Sequence, residues 1–219
     1  MKRKIGFIGC YSHDVILMLT KALGSMGKRV LLRDCNSQHT LQVSVPMPEG
    51  VNKGETLFEY DGFLFTERSD DCGIPEECEI EIIDFGMGGE KEAVTGCSDL
   101  IVISDMLLHH IRRLQTTIIP REVVRACIMR DAYETVCSRE PEVQSFLSSF
   151  QNKNIFFLPS DFRDVKNRYV CESLHEYNIS KASAEMREVM YRLVGIFCPG
   201  YSEKEIRRRI RAGERRQYR

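Results

Sequence analysis

The sequence predicts an α/β fold: a mainly parallel sheet with helices on both faces. Three observations carry this. Short apolar strands alternate with segments of helical periodicity along most of the chain, the pattern of parallel strands joined by helical crossovers. The first strand leads through a loop and a helix to a second strand that ends in an acid, the opening unit of nucleotide-binding α/β folds. A later apolar strand also ends in an acid, Asp84, followed by the glycine-rich turn Phe85-Gly86-Met87-Gly88-Gly89.

In order along the chain, Lys4 to Gly9 is the first strand. After the loop Gly9-Cys10-Tyr11-Ser12-His13-Asp14, residues Val15, Ile16, Leu19, Ala22, Leu23 and Met26 recur at helical spacing. Val30, Leu31 and Leu32 begin the second strand, which ends at Asp34. From Cys35 to Cys78 helical periodicity is absent and Pro and Gly punctuate the chain. Leu41, Val43 and Val45 alternate like a strand that Pro46 and Pro48 stop. Thr56 to Tyr60 and Phe63 to Thr66 flank Asp61-Gly62, a strong hairpin signal. A β-hairpin elaboration around residues 40–66 is therefore expected on the sheet edge. The strands Glu79 to Asp84, Leu100 to Ser104, Val123 to Met129 and Ile155 to Leu158 follow. Between them Leu107, Leu108, Ile111 and Leu114 give one helix, and Pro141 opens another carrying Val143, Phe146, Leu147 and Phe150. Ser180 is the expected cap of a last helix, with a stripe of Met186, Val189, Met190, Leu193, Val194 and Phe197, closed by Cys198-Pro199-Gly200.

The 219 residues fit one domain, 1–200, followed by a basic tail, 201–219. An apolar fraction of 42% and a charged fraction of 29% are those of a soluble globular protein. No apolar run approaches the ~18 residues of a membrane span, and no apolar leader precedes Tyr11-Ser12-His13-Asp14, so a cytoplasmic protein is expected. The nine cysteines are scattered with no Cys-x-x-Cys, which reads as reduced thiols. Cys72 and Cys78 are the closest pair and have no histidine near them; His109 and His110 cannot face one way on a helix, so no metal site is expected. The formal charge of −1 hides an asymmetry: eight cations and three acids from Glu203 to Arg219 make the tail +5 and leave −6 elsewhere. An acidic body argues against nucleic-acid binding.

Two segments sharpen the reading: Gly27-Lys28-Arg29-Val30-Leu31-Leu32-Arg33-Asp34, and Ile82-Ile83-Asp84-Phe85-Gly86-Met87-Gly88 followed by Cys97-Ser98-Asp99 and an apolar strand. Here the chain resembles the MinD/ParA family of P-loop ATPases, which includes pilus- and secretion-positioning proteins of the TadZ/CpaE kind. Phe157-Leu158-Pro159-Ser160-Asp161 is similar to the family's turn beside the adenine. The resemblance runs from residue 3 to about 197, with an interruption at 36–78. It implies a P-loop NTPase-like domain whose nucleotide site survives as Gly9, Cys10, Ser12, His13, Asp34, Asp84, Gly88, Pro159 and Asp161. It also implies face-to-face pairing across that site, as a homodimer or with an active paralogue.

The loop departs from the family. A working P-loop holds phosphate with glycine-rich backbone, a lysine and a Ser/Thr on magnesium. Ser12 and His13 stand where the family has Lys and Thr, and the loop is shorter. Asp14 falls in the first helical turn, where a phosphate would sit. With Asp34 and Asp84 it makes the pocket acidic, with no lysine near to balance it. The expectation is therefore a scaffold that positions or assembles partner proteins, as in a pilus or secretion system, with no catalytic residue and no cofactor. A weak or switch-like ATPase that binds ATP and magnesium through an atypical loop is the first alternative. An NAD(P)-dependent oxidoreductase is the second, on Ile5-Gly6-Phe7-Ile8-Gly9 and Asp34, although the glycine fingerprint is incomplete. Ser12-His13-Asp14 is read as a helix start and not as a triad, whose members come from separate segments.

Ile206 and Ile210 are too few apolar residues for membrane insertion of the tail. It is expected to be solvated, partly disordered and independent of the preceding helix. Arg207, Arg208, Arg209, Arg211, Arg215 and Arg216 are its candidate contacts with an anionic membrane surface or an acidic partner, which would place the protein at the membrane periphery.

Overall fold

The structure, a computed structural model, describes residues 2–49, 57–67, 75–88, 91–117 and 119–217; Thr56, Cys72 and Gly89 lie outside them. Among the described residues eight strands form one sheet: β1 (Arg3–Gly9), β2 (Val30–Asp34), β3 (Leu57–Tyr60), β4 (Phe63–Thr66), β5 (Ile80–Asp84), β6 (Asp99–Ser104), β7 (Val124–Arg130) and β8 (Asn154–Leu158). Their order is β3-β4-β2-β5-β1-β6-β7-β8. Every pairing is parallel except β3 with β4, the hairpin expected at Asp61-Gly62. It lies on the sheet edge, as the sequence suggested.

Alternate strand residues build two cores. Phe7, Leu32, Ile82 and Ile101 face one way, toward α1 (His13–Ser25), α7 (Phe162–Leu174), α8 (Ala184–Phe197) and α9 (Glu203–Gln217). Ile8, Ile83, Leu100 and Val102 face the other, toward α3 (Lys91–Thr95), α4 (Leu108–Thr116), α5 (Glu134–Cys137) and α6 (Pro141–Ser148). Burying such a side chain fully is worth about 1.5–3 kcal/mol. That is why the strands read as continuous apolar runs.

Three expectations are corrected, and one helix carried no signal in the sequence. Leu41, Val43 and Val45 do not form a strand; Thr40–Ser44 is a short helix, α2. The Asp34 carboxylate accepts the backbone N–H groups of Leu41 at 3.1 Å and Gln42 at 3.0 Å, which supplies the partners that a helix start lacks. The last long helix is capped by Ser183 and not Ser180: the Ser183 hydroxyl accepts from Met186 N at 3.0 Å. Helix α7 left no apolar stripe in the sequence because its inward residues are Asp164, Asn167 and Cys171. Finally, the tail is helix α9, docked with Ile206 and Ile210 in the core and Glu214 accepting from Ser180 N at 2.9 Å.

Candidate functional site

Parallel strands carry their carboxyl ends to one edge of the sheet. In register, Phe7 and Asp34 both lie opposite Asp84, and Gly9 lies opposite Ile103. Asp161 follows β8 at the same edge. The edge that the sequence nominated is thus assembled, but its members do different things.

Gly9 lets the loop pass its neighbour. Its φ is +139°, and a Cβ there would meet Ile103 O at 1.7 Å, so no side chain fits. Tyr11 is in the left-handed region, at φ 52°. Ser12 then turns inward, and its hydroxyl donates to Asp84 Oδ1 at 3.0 Å. The Asp84 carboxylate also accepts from Gly86 N at 3.0 Å, Asn36 Nδ2 at 3.2 Å and the Thr40 hydroxyl at 3.2 Å. Burial pushes its pKa up, and these four donors oppose that push. Asp84 is a fully satisfied buried acceptor. It joins the loop to the β2–α2 connection.

Asp14, in the first turn of α1, meets a cation the sequence reading missed. Arg130, the last residue of β7, forms two bonds to its carboxylate at 2.5 and 2.8 Å. The same guanidinium donates to Tyr11 O at 2.6 Å. Both side chains are 2% exposed. Burial alone would raise the Asp14 pKa; the Arg130 charge and hydrogen bonds override it and hold the carboxyl at about 2. The acidic pocket expected without a balancing cation is therefore corrected: Arg130 balances it. The available signal was a charged residue ending the apolar run Ala126 to Met129.

The other nominated residues separate. The Asp34 carboxylate is taken up by the first-turn N–H groups of α2. Asp161 accepts from Arg163 N, and its pairing with the Arg163 side chain holds its carboxyl at about 2; it starts α7. Gly88 is an exposed turn residue whose N–H donates to Phe85 O. None of these, nor Pro159, lines the cleft at the loop. That cleft, about 320 Å3, is walled by Gly9 to His13, Asn36, Thr40, Met87, His110 and Glu172. His13 Nε2 lies 3.2 Å from Glu172 Oε1 on α7. Burial pushes the Cys10 thiol up to about 12, so it is no nucleophile. Among the described residues no lysine or arginine lines the cleft. It offers the hydroxyls of Tyr11, Ser12 and Thr40, amides, a thiol, imidazoles and the Glu172 carboxylate, and no lysine or arginine for a γ-phosphate.

In the tail, Arg207 is already paired with Glu188 at 2.5 Å and Glu203 at 2.6 Å. Arg208, Arg209, Arg211 and Arg215 are exposed, and the Arg216 side chain lies outside the description.

Strand order decides the fold. A dinucleotide-binding sheet places its first two strands side by side, whereas here β5 lies between β1 and β2. That removes the structural basis for an oxidoreductase. No protein-family model and no curated protein matches the sequence. Among solved structures, MinD of Aquifex aeolicus matches with a TM-score of 0.60 at 16% identity, over 88% of this chain and 97% of that one. A plasmid partition protein of Borrelia burgdorferi bound to AMPPNP gives 0.60 at 10%, over 92% and 100%. A ParA family ATPase of Chlorobium tepidum gives 0.55 at 13%, over 87% and 97%. The chain has the MinD/ParA fold. Asp14 and Arg130 stand together at the loop after β1, the loop that the sequence nominated for phosphate.

Proposed function

We propose that this protein is a non-catalytic MinD/ParA-like scaffold, of the TadZ/CpaE kind, that positions or assembles partner proteins. One observation carries the reading. The start of α1, which binds phosphate in a working P-loop, holds the Asp14 carboxylate, and Arg130 fixes it there. A phosphate arriving at this point would meet a buried anion; Arg130 is engaged by it, and Arg168 nearby stacks on Tyr11 and pairs with Asp131. Turnover of ATP is therefore not expected.

Pairing through the carboxyl edge is part of the proposal. Tyr11, Leu107, Tyr133 and Phe162 are 46%, 50%, 52% and 79% exposed. They follow four different strands at that edge, Tyr11, Leu107 and Tyr133 in the loops after β1, β6 and β7 and Phe162 at the start of α7 after β8. Exposed large apolar side chains grouped in this way mark an interaction surface, and the occupant proposed is a second copy of the chain or an active paralogue. Sedimentation of wild type against Phe162→Ser tests it: the wild type should dimerise and the variant should not. A MinC:MinD complex is among the matching structures; a partner of its own is proposed for this chain by that likeness, with pilus or secretion machinery as its setting. A cytoplasmic location is proposed, with electrostatic contact between α9 and an anionic surface. No helix among the described residues is long and apolar enough to cross a membrane.

A second reading has one observation in its favour. The Ser12 hydroxyl beside Asp84 joins the residue types that hold magnesium in a P-loop ATPase, and a cleft opens beside Ser12. On that reading nucleotide binds weakly as a switch, and ATP with magnesium raises the melting temperature. No shift at millimolar ATP removes it.

A further inference from the structure

The cleft holds a side-chain group that the scaffold reading does not use. Cys10 from the β1–α1 loop, Asp105 from the β6–α4 loop and His110 from α4 each bring one potential ligand atom within 4.8 Å of the other two. Asp105 and His110 are already in contact, His110 Nδ1 lying 2.9 Å from both carboxylate oxygens. Asp105 is held in place by Leu107 N, which donates to its Oδ1 at 2.9 Å. Cys10 and His110 both line the cleft, so the group is open on one side.

We propose that Cys10, Asp105 and His110 form a site for a zinc-class divalent cation, with its fourth coordination position facing the cleft. The donor set selects the metal. Thiolate and imidazole suit zinc, whereas magnesium takes oxygen donors and keeps its waters. Tetrahedral ligands at about 2.0–2.3 Å from zinc lie about 3.2–3.8 Å from one another. The Asp105–His110 contact is already closer than that, and no pair in the group is more than 4.8 Å apart, about an ångström beyond the upper figure. The charges also balance: Asp105 and a Cys10 thiolate neutralise the ion, with the thiol proton released to solvent on binding and the neutral His110 ring carrying its proton on Nε2, so that Nδ1 is free to ligate. Arg130, the nearby cation, is matched by Asp14 and does not repel a second charge unopposed. His110 takes part and His109 does not, which meets the objection that adjacent histidines on a helix diverge. Three ligands with one open position is the coordination of zinc sites that accept an exogenous donor. A small anion or a partner's side chain reaching into the cleft is the ligand class such an ion would take. The proposal is independent of whether the protein binds nucleotide.

Cobalt(II) is the probe, because its thiolate complexes absorb in the near ultraviolet. Full-length protein, stripped with chelator and titrated with cobalt, is expected to bind one ion per chain, with a thiolate charge-transfer band that zinc abolishes. Cys10→Ser should lose the band and Cys35→Ser should keep it. His110→Ala should weaken binding at least tenfold. Should Cys10→Ser fail to fold by circular dichroism, His110→Ala and Asp105→Asn decide, and cobalt affinity unchanged in both overturns the proposal. A wild type without the band, or a band that survives Cys10→Ser, overturns it outright.

Discussion

At the residue scale the account rests on Arg130 and Asp14, two buried charges from segments 116 positions apart. Removing one partner of a buried pair costs about 3–5 kcal/mol, because the other is left uncompensated. Arg130→Met should therefore destabilise by that amount in denaturant unfolding. The double variant Asp14→Leu/Arg130→Met should recover most of it, which is non-additivity typical of contacting residues. The pair also sets an acid limit. Asp14 has its carboxyl at about 2 in the fold against a reference of 3.8. Its contribution, about 2 kcal/mol, is then fully present above pH 4 and is lost as pH falls toward 2. Asp34 and Asp84, whose pKa values burial raises, act with the opposite sign and gain on protonation. Wild type should thus lose stability between pH 4 and 2 relative to Asp14→Leu/Arg130→Met, and parallel profiles would contradict the pairing. The acids at the strand ends were legible in the sequence because each closes an apolar run. Arg130 was not, because nothing in the sequence tells which loop a distant strand end will face.

At the element scale the informative case is α9. Its sequence looks like a charged tail, but two isoleucines four apart suffice when a groove between α1 and α8 receives them. Ile206 is 2% and Ile210 1% exposed. Ile206→Ala or Ile210→Ala should each cost about 2–5 kcal/mol, read as a lower melting temperature. A tail removed at no cost would restore the independent-tail reading. The exposed arginines are separable from that role. Arg208→Gln, Arg211→Gln and Arg215→Gln together should change stability by less than about 0.5 kcal/mol each. They should also reduce co-sedimentation with anionic vesicles, as added salt does. Equal sedimentation would end the case for an anionic contact. That Ile206 and Ile210 share one face is legible in the sequence; the groove that receives them is not. In α7 the failure is reversed: Asp164 and Asn167 face inward, so the periodicity had no apolar signal. The strand expected at Leu41 failed because Asp34 stabilises a helix start that local alternation does not encode.

For the whole molecule, the alternation of strands and helices and the two acid-ended strands were enough to give the sheet, its parallel sense and the edge that carries the loop. The position of β5 between β1 and β2 was not readable from residue patterns, and it is what separates this fold from a dinucleotide-binding one. The same edge gathers the apolar loop residues proposed for pairing, so the oligomer and the loop are one question of shape. The central claim is that this sheet has a P-loop position that turns over no nucleotide. Phosphate release from ATP with magnesium tests it most directly, comparing wild type with Asp84→Asn, the acid beside Ser12. The account predicts release no faster than buffer in both. Turnover in the wild type that disappears in a folded Asp84→Asn would contradict it.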